Sequence, residues 1–182
     1  MATLFVDKLD PQSGTSLEIG SSGDTISVPS GATINLSNAT QTGVGGDNTP
    51  FFLAEGSGSL TLSNDTITLV SVLAETYDTS STFASNKFTP AVAGYYYLEG
   101  QVSINNNAAG TSLIARIYKN GSEISYSTVT AEGTNQTYTT ITSVIDLANT
   151  TDYYELYAYQ ASGSSKGMNL QYTWFKGFKL IT

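Results

Sequence analysis

From Phe51 onward, apolar residues recur at every second position in short runs, and nowhere at the three-and-four spacing of a helix. A period of two gives a strand one buried face, so this chain has to fold as a β-sheet protein. The runs fall at 51–55, 59–63, 66–73, 94–104, 111–119, 123–130, 137–147, 152–161 and 168–181. Gly, Asn, Ser and Pro separate them. Asn120-Gly121 predicts a type I′ hairpin, whose two central residues both need positive φ. Regular short strands with such turns point to a sandwich or jelly roll.

Alternation then sorts the faces. After Gly94, Tyr96, Leu98, Val102 and Ile104 share the expected core side, opposite Tyr95, Tyr97, Glu99, Gln101 and Ser103. In 152–161, Tyr154, Leu156 and Ala158 oppose Tyr153, Glu155, Tyr157 and Tyr159. In 111–119, Leu113, Ala115 and Ile117 oppose Ile114, Arg116 and Tyr118, so both sides are largely apolar. So much outward aromatic area marks an association surface, because Tyr offers a large apolar ring and a hydroxyl that still finds a partner. A Tyr-rich ligand platform is the alternative, since aromatic faces also stack on sugar rings.

Three segments resemble the globular head of complement C1q and the related tumour necrosis factor-like jelly rolls. They are Phe88-Thr89-Pro90 leading to Gly94-Tyr95-Tyr96-Tyr97, then Ile117-Tyr118-Lys119-Asn120-Gly121-Ser122, and the closing Trp174-Phe175-Lys176-Gly177-Phe178-Lys179-Leu180. The resemblance covers roughly residues 50 to 182. It implies an all-β jelly-roll sandwich that forms homotrimers, binds other molecules and does no chemistry. It places Phe88, Gly94, Tyr96, Phe175, Gly177 and Phe178 in the core motif of such a head. It assigns the outward Tyr95, Tyr97, Tyr118, Tyr153, Tyr157 and Tyr159 to a trimer interface. Some heads of this type hold calcium near the axis; Asp78 and Glu75, in the loop expected before Phe88, are the candidates for it here.

The first 48 residues read differently from the head at 49–182. Thr25-Ile26-Ser27-Val28-Pro29-Ser30-Gly31-Ala32 aligns on Thr33-Ile34-Asn35-Leu36-Ser37-Asn38-Ala39-Thr40, and Leu17-Glu18-Ile19-Gly20 is a looser copy. Each unit puts two aliphatics on one side of a very short β-like segment. That is too little for a core within one chain, so an oligomeric shaft or docking segment is expected, with a flexible leader as the alternative. Residues 41–50, rich in Gly, form the linker.

Chemistry is hard to place. The chain has no His and no Cys, which removes Ser-His-Asp and Cys-His designs, zinc sites and disulfides. The formal charge of −8 with only seven Lys and Arg argues against nucleic acid. No apolar stretch is long enough for a membrane span, and Met1 to Asp7 do not read as a signal peptide. No cofactor is expected. Three functional readings follow. The first is a non-enzymatic virion protein, the trimeric head of a phage tail fibre or capsid fibre that attaches to a host surface; the leader also resembles repeats in structural proteins of marine phages. Its partners are further copies of itself, other virion proteins through the leader, and a host surface glycan or protein. The second is a bacterial C1q-like recognition module for glycans or proteins, and the third a carboxylate-dependent glycan hydrolase. Binding is expected at the polar loops 105–110, 131–137 and 161–167.

Overall fold

The computed structural model describes residues 9, 11, 13–35, 48–105 and 108–181. Most of the 41–50 linker, residues 36–40 of the repeat and residues 106–107 of the first candidate loop lie outside them. The chain divides into two compact units, Met1–Val44 and Gly45–Thr182.

In the first unit the sequence repeat is a repeat of turns. Backbone bonds close Ser21–Asp24 (2.9 Å) and Pro29–Ala32 (3.1 Å), eight residues apart. Gly23 (φ +94°) and Gly31 (φ +85°) sit third in these turns, in the left-handed conformation that a type II turn requires there. The aliphatics that follow each turn, Ile26 with Val28 and then Ile34, are exposed, as are Leu17 and Ile19. Among the described residues of this unit no strand forms, because two aliphatics per unit find nothing in their own chain to pack against.

The second unit is built from thirteen strands among its described residues: β1 (Phe51–Gly56), β2 (Thr61–Leu62), β3 (Thr68–Leu69), β4 (Leu73–Asp78), β5 (Phe83–Ala84), β6 (Lys87–Phe88), β7 (Gly94–Ile104), β8 (Ser112–Lys119), β9 (Ser122–Thr130), β10 (Tyr138–Ala148), β11 (Tyr154–Ala161), β12 (Lys166–Gly167) and β13 (Trp174–Lys179). One sheet has the order β10-β7-β13-β1-β4; the other has β5-β6-β11-β8-β9, with β3 also on β11. Every pairing is antiparallel. Asn120 (φ +52°) and Gly121 (φ +79°) make the two-residue turn between β8 and β9.

The two sheets close over a core centred on Phe52. Its ring stacks on Phe88 at 4.4 Å and on Phe83 at 5.3 Å, and meets Phe175 edge-on at 5.1 Å. Phe88 continues the cluster to Tyr96 and Tyr154. Tyr96, Leu98, Val102 and Ile104 face inward from β7, as do Leu113, Ala115 and Ile117 from β8 and Tyr154, Leu156 and Ala158 from β11.

Two sequence expectations are corrected here. The stretch expected as a loop before Phe88 contains β4, so Glu75 and Asp78 stand on a strand. It escaped notice because β4 is an edge strand, exposed along most of its length, without a clean alternation. Phe178 is not a core residue. Gly177 takes the inward position on β13: a Cβ there would lie 2.5 Å from Leu98 Cδ2 and 2.9 Å from the Tyr97 carbonyl oxygen. Its neighbours Lys176 and Phe178 therefore point outward.

Candidate functional site

The outward residues of the five-stranded sheet line up across strands. Ile145 pairs with Tyr97, Tyr97 with Phe178, and Phe178 with Phe51, so one row of apolar side chains crosses β10, β7, β13 and β1. The Tyr97 and Phe178 rings are 5.5 Å apart. A flanking row runs Ser143, Glu99, Lys176, Leu53, Tyr77, and beyond the other side Leu147 pairs with Tyr95. Its charges are the pair Lys176–Glu99 at 3.0 Å, with Lys176 also 4.2 Å from the Trp174 ring centre. The Tyr97 hydroxyl donates to Glu99, and that bond, with burial, raises its pKa.

The two margins of this face differ in shape. At the β1–β4 margin a cleft of about 380 Å³ is lined by Asn48, Phe51, Leu53, Tyr77, Lys176 and Phe178. At the β10 margin Ile145 and Leu147 stand 61% and 54% exposed. Strand β10 also inverts the usual pattern: Thr140 and Thr142 are buried while Ile141, Ile145 and Leu147 face out. The buried threonines are satisfied across the sandwich edge, Thr142 by Ser125 (2.7 Å) and Thr140 by Ser127 (3.2 Å).

Of the six tyrosines expected at one interface, only Tyr95 and Tyr97 lie on this face. Tyr118, Tyr153, Tyr157 and Tyr159 belong to the opposite face, outside β8 and β11. There Tyr118 packs on Tyr157 with ring centres 4.4 Å apart. Arg116 lies 5.7 Å from the Tyr126 ring centre and 5.9 Å from that of Tyr159, and is ion-paired to Glu123. Lys87 caps the Tyr153 ring at 4.3 Å and pairs with Glu155 at 3.4 Å. The Tyr159 hydroxyl donates to Asp65 (2.8 Å) and that of Tyr157 to Glu155 (3.3 Å). Both phenols have raised pKa values, Tyr159 chiefly from the Asp65 bond and Tyr157 chiefly from burial.

The candidate loops gather at one end of the sandwich, since Ala161, Ser112 and Thr130 are side by side in register and Tyr138 faces Ile104. Thr137 donates to Asn105 (2.6 Å), and backbone bonds link Gly110 and Thr111 to Ala131, tying the first two loops together. The third is fastened separately by the fully buried Gln160. Its amide donates to the carbonyls of Leu62 (3.1 Å) and Ser164 (2.9 Å) and accepts from Ser162 N (2.9 Å). At the other end Lys119 donates to Asp146 (2.6 Å) and lies 3.2 Å from Asp152, while Tyr154 donates to Asp146 (2.5 Å). Burial presses the Lys119 pKa down, but bonds to the two carboxylates outweigh it and raise it.

The calcium candidates are not assembled into a site. Both Asp78 oxygens accept bonds from the chain itself, from Ser80 N, Thr82 Oγ1 and Phe83 N. Among the described residues no three acidic side chains converge as metal ligands. No described helix is long and apolar enough to cross a membrane.

No family model and no curated protein matches the sequence. Solved structures do match in shape. Murine APRIL aligns with a TM-score of 0.55 at 11% identity, covering 72% of this chain and 98% of that one. Eiger, a TNF from S. frugiperda, aligns at 0.51 and 11% identity, covering 72% and 93%. The globular domain of the zebrafish complement 1qA protein aligns at 0.48 and 14% identity, covering 72% and 98%. With its all-β architecture and the first two alignments, the chain has a C1q/TNF-like jelly-roll fold.

Proposed function

We propose that the protein is a non-enzymatic recognition module that works as a homotrimer, its copies meeting through the outer face of the five-stranded sheet. The observation that carries this reading is β10, which buries threonine and exposes isoleucine and leucine. A strand of an isolated copy gains nothing by that arrangement; a strand covered by a neighbour does. The aliphatic margin on β10 and the aromatic cleft by β1 and β4 are unlike patches on one sheet. A rotation that seats one against the other gives a head-to-tail contact, and where that rotation is a whole fraction of a turn the contacts close into a ring. That the ring has three members is what the resemblance to C1q-type heads supplies.

In this reading the assembly sits on a virion, as the head of a phage tail fibre or capsid fibre, and attaches to a host surface. The repeat segment serves as shaft or docking segment for other virion proteins. Light scattering on the full chain tests the core of the proposal. The expected mass is three times 19.2 kDa, falling to a single copy in Ile145→Asp. A wild-type protein that stays a single copy at micromolar concentration overturns it. Immunolabelling of virions tests the location.

A further inference from the structure

We infer that the opposite face, outside β11, β8 and β9, is a stacking platform for neutral sugar chains. The two outer faces differ in where they keep their charges. On the association face apolar side chains form an unbroken row, as the dry centre of a protein contact requires. On this face rings and charges interleave along two adjacent register rows: Glu155 beside Tyr118 beside Glu123, then Tyr157 beside Arg116 beside Tyr126. Carboxylates and lysines are depleted from the centres of protein interfaces, and Glu155, Glu123, Asp65 and Lys87 stand among these rings, so this surface suits a wet, hydroxyl-bearing partner.

The charge pattern narrows the partner further. Both cations described above are already committed, Arg116 to Glu123 and Lys87 to Glu155, and Asp65 adds a further carboxylate. A sulfated, phosphorylated or carboxylated glycan would find no unpaired cation among these groups and would meet a chain of net charge −8. A neutral glycan loses nothing on that account. It gains the exposed ring of Tyr126, the half-buried rings of Tyr157 and Tyr159, and the hydroxyls of Thr128 and Thr130. The rings are held ready: Asp65 and Glu155 fix two phenols, and the Arg116 guanidinium lies against Tyr126 and Tyr159.

The platform deepens the recognition reading but needs the homotrimer only for avidity. The two faces point in opposite directions, so copies that meet through one present the other outward, and several weak sites add.

The test uses the full chain on an array of neutral, sulfated and sialylated oligosaccharides, followed by calorimetric titration of the tightest neutral hit. Binding to at least one neutral glycan is expected, weakened about tenfold or more by Tyr126→Ala and retained by Tyr126→Phe, which keeps the ring. Tyr126 is 63% exposed, so a wild-type melting curve for both variants should confirm folding. Ile145→Asp is expected to lose avidity on the array while keeping the per-site affinity in solution, which separates failure of the platform from failure of the assembly. The inference is overturned if no neutral glycan binds or if only charged glycans bind. It is equally overturned if neutral binding survives Tyr126→Ala but is lost on replacing loop 131–137.

Discussion

Phe175 and Phe178 lie three residues apart on one strand and make opposite contributions, and a pair of truncations separates them. Phe175 is fully buried, edge-on to Phe52 at 5.1 Å and to Phe83 at 6.5 Å. Removing its ring leaves a cavity in the aromatic cluster that neighbouring strands cannot collapse to fill, at a cost of about 3–5 kcal/mol. For a domain of this size a loss of 1 kcal/mol lowers Tm by roughly 3–4 °C, so Phe175→Ala should melt roughly 10–20 °C below wild type. Phe178 is half-buried, with one ring contact, to Tyr97. Its truncation in a separated copy should cost about 1 kcal/mol. If the copies associate through this face as proposed, the same change removes the centre of the apolar row, so its Tm should fall further at concentrations where the wild type is assembled and match the single-copy loss where it is not. Circular dichroism melting over a hundredfold concentration range, with light scattering at each point, reads both effects. If Phe178→Ala melts as low as Phe175→Ala where the copies are single, the outward placement of Phe178 is wrong and so is the row built on it.

Gly177→Ala should destabilise strongly although it adds one methyl group, because the Tyr97 carbonyl 2.9 Å from the new Cβ is backbone and cannot rotate away; urea titration against Gly167→Ala, where a Cβ meets open space, is the comparison. The Asp152 pKa is lowered, first by the Asn149 backbone N–H, then by the Asn120 amide, with Lys119 adding to it. A depressed carboxylate contributes stability above its unfolded pKa of about 4 and loses it as pH falls through the folded value, so Asp152→Asn should flatten the acid limb of the pH–stability curve. Tyr154 is shifted the other way, its pKa raised by burial and then by its bond to Asp146. Its contribution is complete below the unfolded value of about 10 and is lost as pH rises beyond it. Tyr154→Phe should therefore keep its stability further into alkali than wild type, as followed by melting from pH 8 to 11.

Alternation carried the sequence reading wherever a strand has one fully buried side. Tyr96, Leu98, Val102 and Ile104 needed no other information, and Gly94–Ile104 came out with both ends correct. The same rule misplaced the tyrosines. It shows that Tyr97 and Tyr157 both point away from the core, but not that their strands belong to different sheets, so that one faces away from the other. Strand partnership is a long-range property, and no local pattern encodes it. Phe178 failed for a related reason: Phe175 and Phe178 have opposite parity on one strand, and only the 2.5 Å approach at Gly177 decides which is inside. The outer face of the five-stranded sheet did leave one readable signal, the run Thr140-Ile141-Thr142 with Ile145 and Leu147 following in phase. Read with hydrophobic residues inward, that run is turned inside out.

Gln160 gives the tip of the sandwich an unusual mechanical character. A loop that leaves a strand end is ordinarily an ensemble, and a ligand that selects one member must offset the entropy of the rest. Here a single buried amide grips the chain at Leu62, Ser162 and Ser164, and Asn64 receives the Gly163 N–H at 2.6 Å. The Ser162-Gly163-Ser164 tip is thus preorganised largely from beneath, by a Gln160 amide that is fully buried. The crest adds its own constraints, a Ser162 Oγ bond to the Ser164 carbonyl (2.8 Å) and a Gly163 held at φ +79°, but the grip that sets the height and direction of the loop belongs to the strand below.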